Sequence, residues 1–257
     1  MGIVKLFFKV KKLKTALITG VSGGIGTSIA KEFIDKGYFV IGQYNSNKDA
    51  IDQFVKELKS ENKAENFFAI QCDLTDGAQI SKMMDSVESS FKSLSVLVNN
   101  AGISLTKLIT ETNEEEWDKV FAVNLKSVFQ ITNRVLKGMI AKKQGKIVNI
   151  SSMWGISGSS MEVAYSASKA GLIGYTKALA KEVGLSGINV NCVCPGVIDT
   201  KMNAHLSNED ILELKSQTSL NKIGKPTDVA KLVYFLSSTD ADFITGQVIA
   251  CDGGFVL

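Results

Sequence analysis

The sequence predicts an α/β fold, a doubly wound parallel sheet of about seven strands with helices on both faces. Three observations predict it. Short β-branched runs alternate with longer stretches of helical period. Most of the short runs are apolar throughout rather than at every second residue, as strands buried on both faces must be. A glycine-rich turn joins the first run directly to the first helical stretch. The 257 residues fit one large domain or two small ones. No linker, low-complexity segment or internal repeat divides them, so one domain over 1–257 is expected, with 1–12 as a basic N-terminal extension.

In chain order the expected strands are Thr15–Thr19, Tyr38–Tyr44, Asn66–Cys72, Val96–Asn99, Lys146–Ser151, Asn189–Pro195 and Val248–Cys251. The expected helices between them are Gly24–Lys36, Lys48–Ser60, Gln79–Phe91, Glu114–Lys143, Ala164–Glu182 and Thr227–Ser237. The main irregular piece, residues 198–222, follows a strand end and holds a helix-like stretch near Asn208–Gln217, so it is expected to cover a ligand as a lid.

Composition excludes several classes. Hydrophobic residues make up 45% and charged residues 21%, too apolar for disorder and ample for a core. No apolar run approaches the roughly 18 residues a membrane span needs. The first fourteen residues carry five lysines and no acid, which leaves the remainder of the +3 chain at −2. A nearly neutral body argues against a nucleic-acid partner. The basic start reads as solvated charge. Lys5 and Lys9 interrupt its short apolar stretch, no small-residue cleavage site follows, and Leu6 stands where a myristoylation signal after Gly2 needs Ser or Thr. Cys72, Cys192, Cys194 and Cys251 lie in apolar, strand-like stretches without a Cys-x-x-Cys, and His205 is the single histidine. No metal site or disulfide framework is expected, and buried reduced thiols point to a cytoplasmic protein.

The turn after the first strand reads Thr19-Gly20-Val21-Ser22-Gly23-Gly24-Ile25-Gly26. Glycine lets backbone N–H groups approach a phosphate closely, and the following helix aims its positive end at the same anion. The spacing, T-G-x-x-x-G-x-G, differs from the general G-x-G-x-x-G dinucleotide fingerprint and narrows the family.

From about Lys14 to its end the chain resembles the short-chain dehydrogenase/reductase family. The resemblance rests on Thr19–Gly26, Asp73, Asn99–Gly102, Asn124, Ser152, Tyr165-x-x-x-Lys169 and Pro195-Gly196-x-x-x-Thr200, in that order. It implies a Rossmann-type fold and an NAD(P)-dependent oxidoreductase acting on CH–OH/C=O groups. The implied cofactor residues are Gly20, Ser22, Gly23, Gly24, Ile25 and Gly26 in the turn, and Tyr44, Asn45 and Ser46 at the end of the second strand. Asp73 and Leu74 stand beside the adenine, and Asn100, Ala101 and Gly102 beside its ribose. Pro195, Gly196, Ile198 and Thr200 hold the nicotinamide carboxamide, with Tyr165 and Lys169 on its ribose side. On the residue alone, Asp73 also suits a helix N-cap before Thr75 and Asp76, and Asn99 and Asn100 suit loop backbone. The second strand ends in Tyr44-Asn45-Ser46-Asn47-Lys48, without the carboxylate that binds both ribose hydroxyls in NAD sites. That favours NADP(H), with NAD(H) as the other candidate. The arginine that many NADP-using relatives carry at the place of Gly23 or Asn45 is absent.

Tyr165 and Lys169, four apart on one helix, project from one face. A free phenol has a pKa of about 10, and a neighbouring ammonium is expected to lower it towards neutrality. Ser152, thirteen residues upstream at a strand end, can hydrogen-bond an oxygen on which charge develops. Ser151 competes on the residue alone, and the family spacing selects Ser152. The resemblance gives Asn124 the task of kinking its helix and holding a water that links Lys169 to solvent. Taken alone, Asn124 reads as an exposed helix residue. The complete set argues against a non-catalytic dinucleotide sensor or scaffold.

Two resemblances bear on the carbonyl. Asn221–Gly224, Ile244–Gln247 and Asp252–Gly254 are similar to 3-oxoacyl-acyl-carrier-protein reductases of fatty-acid biosynthesis, which dock an acidic carrier on basic residues beside the site. Lys143 stands at one such position and Ser186 at the other, with Lys142 and Lys181 nearby. The stretch Ser151–Val163 is similar to 5-aminopentanone reductases acting on modified elongation factor P. There Trp154 and Glu162 join Ser152 and Tyr165 as substrate residues, Glu162 as a carboxylate able to bind an amine. Trp154 equally suits packing, and Glu162 a solvated loop. Met202, His205, Asp199, Asp210 and Glu213 read as lid surface. A homodimer or homotetramer through the two long helices is what the resemblance implies.

Overall fold

The computed structural model describes residues 13–91, 94–200 and 207–255. The basic stretch 1–12, and Met202 and His205 of the expected lid, lie outside the described residues. Seven strands form one sheet: β1 (Thr15–Thr19), β2 (Phe39–Tyr44), β3 (Phe67–Gln71), β4 (Val96–Asn99), β5 (Gly145–Ile150), β6 (Ile188–Pro195) and β7 (Val248–Cys251). Their order is β3-β2-β1-β4-β5-β6-β7 and every pairing is parallel. Parallel neighbours require crossover helices, which are α1 (Gly24–Asp35), α2 (Lys48–Ser60), α3 (Gly77–Ser90), α4 (Glu114–Phe121), α5 (Ser127–Lys142), α6 (Trp154–Ser157), α7 (Val163–Val183), α8 (Asn208–Ser216) and α9 (Pro226–Ser237).

The helices divide between the two faces of the sheet. Ile29 and Phe33 of α1, Phe54 of α2 and Val233 of α9 pack on Ala16, Ile18, Val40 and Val98. Met83 and Met84 of α3, Ile131 and Met139 of α5 and Leu179 of α7 pack on Leu17, Ile41, Leu97 and Ile147. Alternate residues of β1 therefore serve opposite cores, which is why the strand is apolar at every interior position.

Two details depart from the expected elements. The long helix over Glu114–Lys143 is interrupted by a π turn, Ala122–Lys126, between α4 and α5. The N-cap of α3 is Asp76, whose carboxylate accepts from Ala78 and Gln79 N–H, not Asp73.

The order of strands reverses between β1 and β4. In an open α/β sheet a ligand site lies at such a switch point, outside the carboxyl ends of the strands. The β1–α1 turn, the Asn99–Gly102 stretch after β4, Ser152 after β5 and the Pro195–Gly196 turn of β6 all emerge at that edge.

Candidate active site

The glycine turn is built for close backbone approach. Gly20 lies at φ +72°, and a Cβ there would sit 2.8 Å from Ala101 Cα. A Cβ on Gly26 would run into the Gly20 carbonyl oxygen. Asn100 donates to Thr19 O at 2.8 Å and to Gly20 O at 3.3 Å, and Thr19 Oγ1 accepts the N–H groups of Asn100 and Ala101. Gln43 of β2, which sequence reasoning passed over, accepts from Gly20 N–H at 2.9 Å and donates to Cys72 O at 2.7 Å. Its signal was present: one glutamine in the otherwise apolar run Phe39–Tyr44.

The first helix is left open to an anion. Gly23 is the N-cap of α1, no side chain caps it, and the first turn holds no acid. By contrast Asn47 caps α2 and Asn113 caps α4. Uncapped N–H groups at the positive end of a helix are anion donors. Ser22 and Ile25 are half-buried beside them. Thr200 closes the far side: a Cβ on Gly24 would meet Thr200 Cγ2 at 2.9 Å, so 195–200 folds against the turn. Ile198 is buried and bridges to Gly224.

At the end of β2, Tyr44 is buried while Asn45 and Ser46 are exposed. The Asn47 side chain is turned to its own helix, where it accepts from Ala50 N–H. Lys48 pairs with Asp52 on the surface. Asp73 is half-buried, and its carboxylate accepts from the N–H and hydroxyl of Thr75; Leu74 beside it is buried. These residues fit a dinucleotide: an uncapped helix start, a glycine-rich turn, and a β2 end without an acid.

The catalytic candidates meet one strand further along. Lys169 is 3% exposed, and its ammonium donates to Ile150 O at 2.8 Å and lies 5.7 Å from the Tyr165 ring centre. A Cβ on Gly102 would approach Lys169 Nζ at 3.1 Å and Asn124 Oδ1 at 3.4 Å, so both groups converge on the chain after β4. Asn124 is fully buried rather than exposed. Its amide accepts from Ile103 N–H and donates to Ile103 O, both at 2.9 Å, and donates to Ser168 Oγ at 3.0 Å. Ser152 is buried and its oxygen accepts from Trp154 N–H at 3.2 Å. Ser151 donates to Lys169 O and is thereby occupied in the core.

Electrostatics correct one expectation. Burial, the largest influence, pushes the Tyr165 phenol up to about 12, against the pull of the Ser152 hydroxyl, and Glu162 and Cys194 push it further. Lys169 does not lower it. Burial brings the Lys169 ammonium down to about 8, with Cys192 and Cys194 pulling the other way. Desolvation disfavours the charged form of each group and is the largest influence on both. Tyr165 is thus protonated throughout the neutral range, the form that donates. Lys169 is charged below about pH 8 and neutral above it. We expect kcat/KM for reduction to be flat at neutral pH and to fall about tenfold per unit above pH 8, as measured by a pH–rate profile of the free enzyme.

Around this centre, Thr106 donates to Glu162 Oε1 at 3.4 Å, and Lys107 N–H donates to Met161 O at 2.7 Å. Trp154 packs edge to face on Phe255. The carrier-docking positions do not lie beside the site. Lys143 precedes β5 and Ser186 precedes β6, at the amino edge of the sheet, with Gly187 packed on the Lys143 carbonyl. The reason is the length of α7: it starts beside Tyr165 and carries the chain roughly 30 Å away before Ser186.

An open helix start at the switch point, next to a buried lysine, a buried serine and a half-buried tyrosine, defines a dinucleotide-type oxidoreductase site. The sequence profile of the short chain dehydrogenase family matches residues 14–211, and the chain belongs to that family. It is 41% identical over 247 residues to the 3-oxoacyl-acyl-carrier-protein reductase FabG of Staphylococcus aureus (strain Mu50), covering 96% of this chain and all of that one. The FabG reductase of Thermotoga maritima is 40% identical over 244 residues, 95% of this chain and 98% of its own. That of Chlamydia trachomatis is 39% identical over 241 residues, 94% and 96%. A crystal structure from Agrobacterium tumefaciens, proposed as a gluconate dehydrogenase, superposes with a TM-score of 0.89 at 31% identity, covering 95% of this chain and 97% of that one. Among the described residues no helix is long and apolar enough to cross a membrane.

Proposed function

We propose that this oxidoreductase is an NADPH-dependent 3-oxoacyl-acyl-carrier-protein reductase. The observation that carries the reading is end-to-end similarity to reductases of that name, 41% identity over 96% of the chain for one of them, together with the Ser152–Tyr165–Lys169 centre. The nucleotide phosphates would meet the turn from Gly20 to Gly26 and the start of α1, the adenosine side Asp73, Leu74 and Asn100–Gly102, and the nicotinamide side Pro195, Gly196, Ile198 and Thr200. When bound, NADPH supplies a hydride for the carbonyl carbon.

The remaining chemistry belongs to the chain. Ser152 Oγ accepts from Trp154 N–H while its own proton faces the Tyr165 oxygen, from which it can turn to the substrate oxygen. Tyr165, held neutral by burial, gives its proton to the same oxygen as negative charge grows there. The Lys169 ammonium stabilises the phenolate left behind. Asn124 braces Ile103 and Ser168 around Lys169, on the side from which a replacement proton enters.

The preference for NADPH is supported by the end of β2, which presents Asn45 and Ser46 and no carboxylate. Asn45→Asp is expected to lower kcat/KM with NADPH by about tenfold or more and to raise it with NADH, because a carboxylate repels a 2′-phosphate and binds ribose hydroxyls. Parallel kinetics with both nucleotides check this.

A second reading, reduction of an aminopentanone adduct on elongation factor P, is supported by Glu162, a half-buried carboxylate close enough to influence Tyr165. Oxidation of NADPH with a 3-oxoacyl thioester and with the modified factor separates the two. Turnover of the thioester supports the first reading, and turnover of the factor alone replaces it with the second. A homodimer or homotetramer in the cytoplasm accompanies either reading.

A further inference from the structure

The chain does not leave the sheet at the end of β7. Gly196 N–H donates to Cys251 O at 3.1 Å, and a Cβ on Gly196 would lie 2.7 Å from Asp252 Cα, so the final segment crosses directly over the Pro195–Gly196 turn. Two successive left-handed glycines, Gly253 at φ +70° and Gly254 at φ +77°, then turn it back along the carboxyl edge. On one side it is tied to the foot of the expected lid: Leu220 N–H donates to Gly253 O at 3.1 Å and Ser219 Oγ to Gly254 O at 3.0 Å. On the other, Phe255 sets its ring edge to face on Trp154, with centres 5.5 Å apart and planes at 87°. Trp154 follows Ser152 by two residues, and its N–H holds the Ser152 oxygen.

We infer that Phe255, paired with Trp154, is a specificity-determining residue: the two rings form the apolar wall along which the carbon chain of the substrate lies as it leaves the oxygen site of Ser152 and Tyr165. Three features support this. A carbonyl oxygen held by Ser152 and Tyr165 places the rest of the substrate between two borders, Glu162 beside Tyr165 and Trp154 beyond Ser152. The Trp154 border presents two aromatic rings, whereas the Glu162 border presents a carboxylate. Both rings are half-buried, with area left to cover, and an aromatic pair fixed by two torsions per side chain offers that area at little entropic cost. The ligand chemistry is an unbranched acyl chain attached to the reacting ketone. This inference rests on the proposed reduction of 3-oxoacyl groups.

The test is kcat/KM for a series of 3-oxoacyl thioesters of increasing chain length, with the wild-type protein and the Phe255→Ala, Phe255→Leu and Phe255→Tyr variants. Nucleotide affinity, read by tryptophan fluorescence, reports folding. For the wild type, each added methylene is expected to raise kcat/KM by about threefold until the wall is covered. Phe255→Ala is expected to flatten that slope, losing about tenfold on long chains and about twofold on the shortest, mostly through KM. Phe255→Tyr, which keeps the ring, is expected to keep the slope, and Phe255→Leu to fall between; if the alanine variant does not fold, leucine against tyrosine makes the same comparison. An equal loss at every chain length, or no loss, overturns the inference while leaving the proposed reaction intact. A wild-type protein that reduces none of the series overturns the proposed reaction, and the inference falls with it.

Discussion

Replacing Tyr165 with Phe is expected to lower kcat for carbonyl reduction by about a thousandfold while changing nucleotide affinity by less than about twofold. The substitution removes one oxygen from a ring that is otherwise packed as before, so the fold has no reason to change. What is lost is the proton. Burial holds the phenol at about 12, and it faces the Ser152 hydroxyl, so it is the neutral donor aimed at the oxygen site. The neighbouring Lys169 ammonium donates to Ile150 O rather than towards the oxygen site. Ser152 would remain to polarise the carbonyl, which is why residual turnover above the uncatalysed rate is expected. Steady-state kinetics with a fluorescence titration of the nucleotide check both halves. A variant within tenfold of the wild-type kcat would remove Tyr165 from the acid role.

Gly26→Ala is expected to produce the opposite pattern, loss of nucleotide affinity by about a hundredfold or more with the sheet intact. The added methyl would land on the Gly20 carbonyl oxygen and stand 2.7 Å from Asn100 Nδ2. Neither is the loose end of a flexible side chain. Gly20 O is backbone, and Asn100 is fixed by its bonds to Thr19 and Gly20. Relief requires α1 to slide away from the turn, which withdraws the uncapped N–H groups from the place where phosphate would sit. The core beneath α1 is anchored further along, through Ile29 and Phe33, so circular dichroism should show an unchanged helix content. Normal affinity in Gly26→Ala would mean that the open helix start is not the anion site.

The sequence made the layers of this molecule readable and its fine geometry less so. Thr15–Thr19, Val96–Asn99 and Val248–Cys251 are strands at the residues expected, because continuous apolar runs bounded by polar residues leave little choice of ends. The convergence of Gly20, Asn100, Ser152, Tyr165 and Lys169 was readable too, since each follows a strand end or shares a helix face. Other features were hidden for physical reasons. Whether Asp73 or Asp76 caps α3 depends on where the helix starts, here at Gly77, and the residue type suits either. The proton affinity of Tyr165 depends on burial, and a neighbouring lysine in sequence says nothing about desolvation. The distance from Lys143 and Ser186 to the site was implicit in the length of α7 and emerges only once helix rise is counted against sheet direction.

The π turn at Ala122–Lys126 is equivalent to one surplus residue inserted into an otherwise regular helix. It shifts the angular phase of everything after it by about 100°, so the inward stripe of α5 is indexed independently of that of α4. The molecule can therefore optimise two surfaces with what looks like a single rod. A chain shortened by one residue in this interval would regain an unbroken helix, yet it could not keep both the amide clasp on Ile103 and the Ile131 stripe in register. Length conservation across these five positions, rather than residue identity alone, is what the architecture demands.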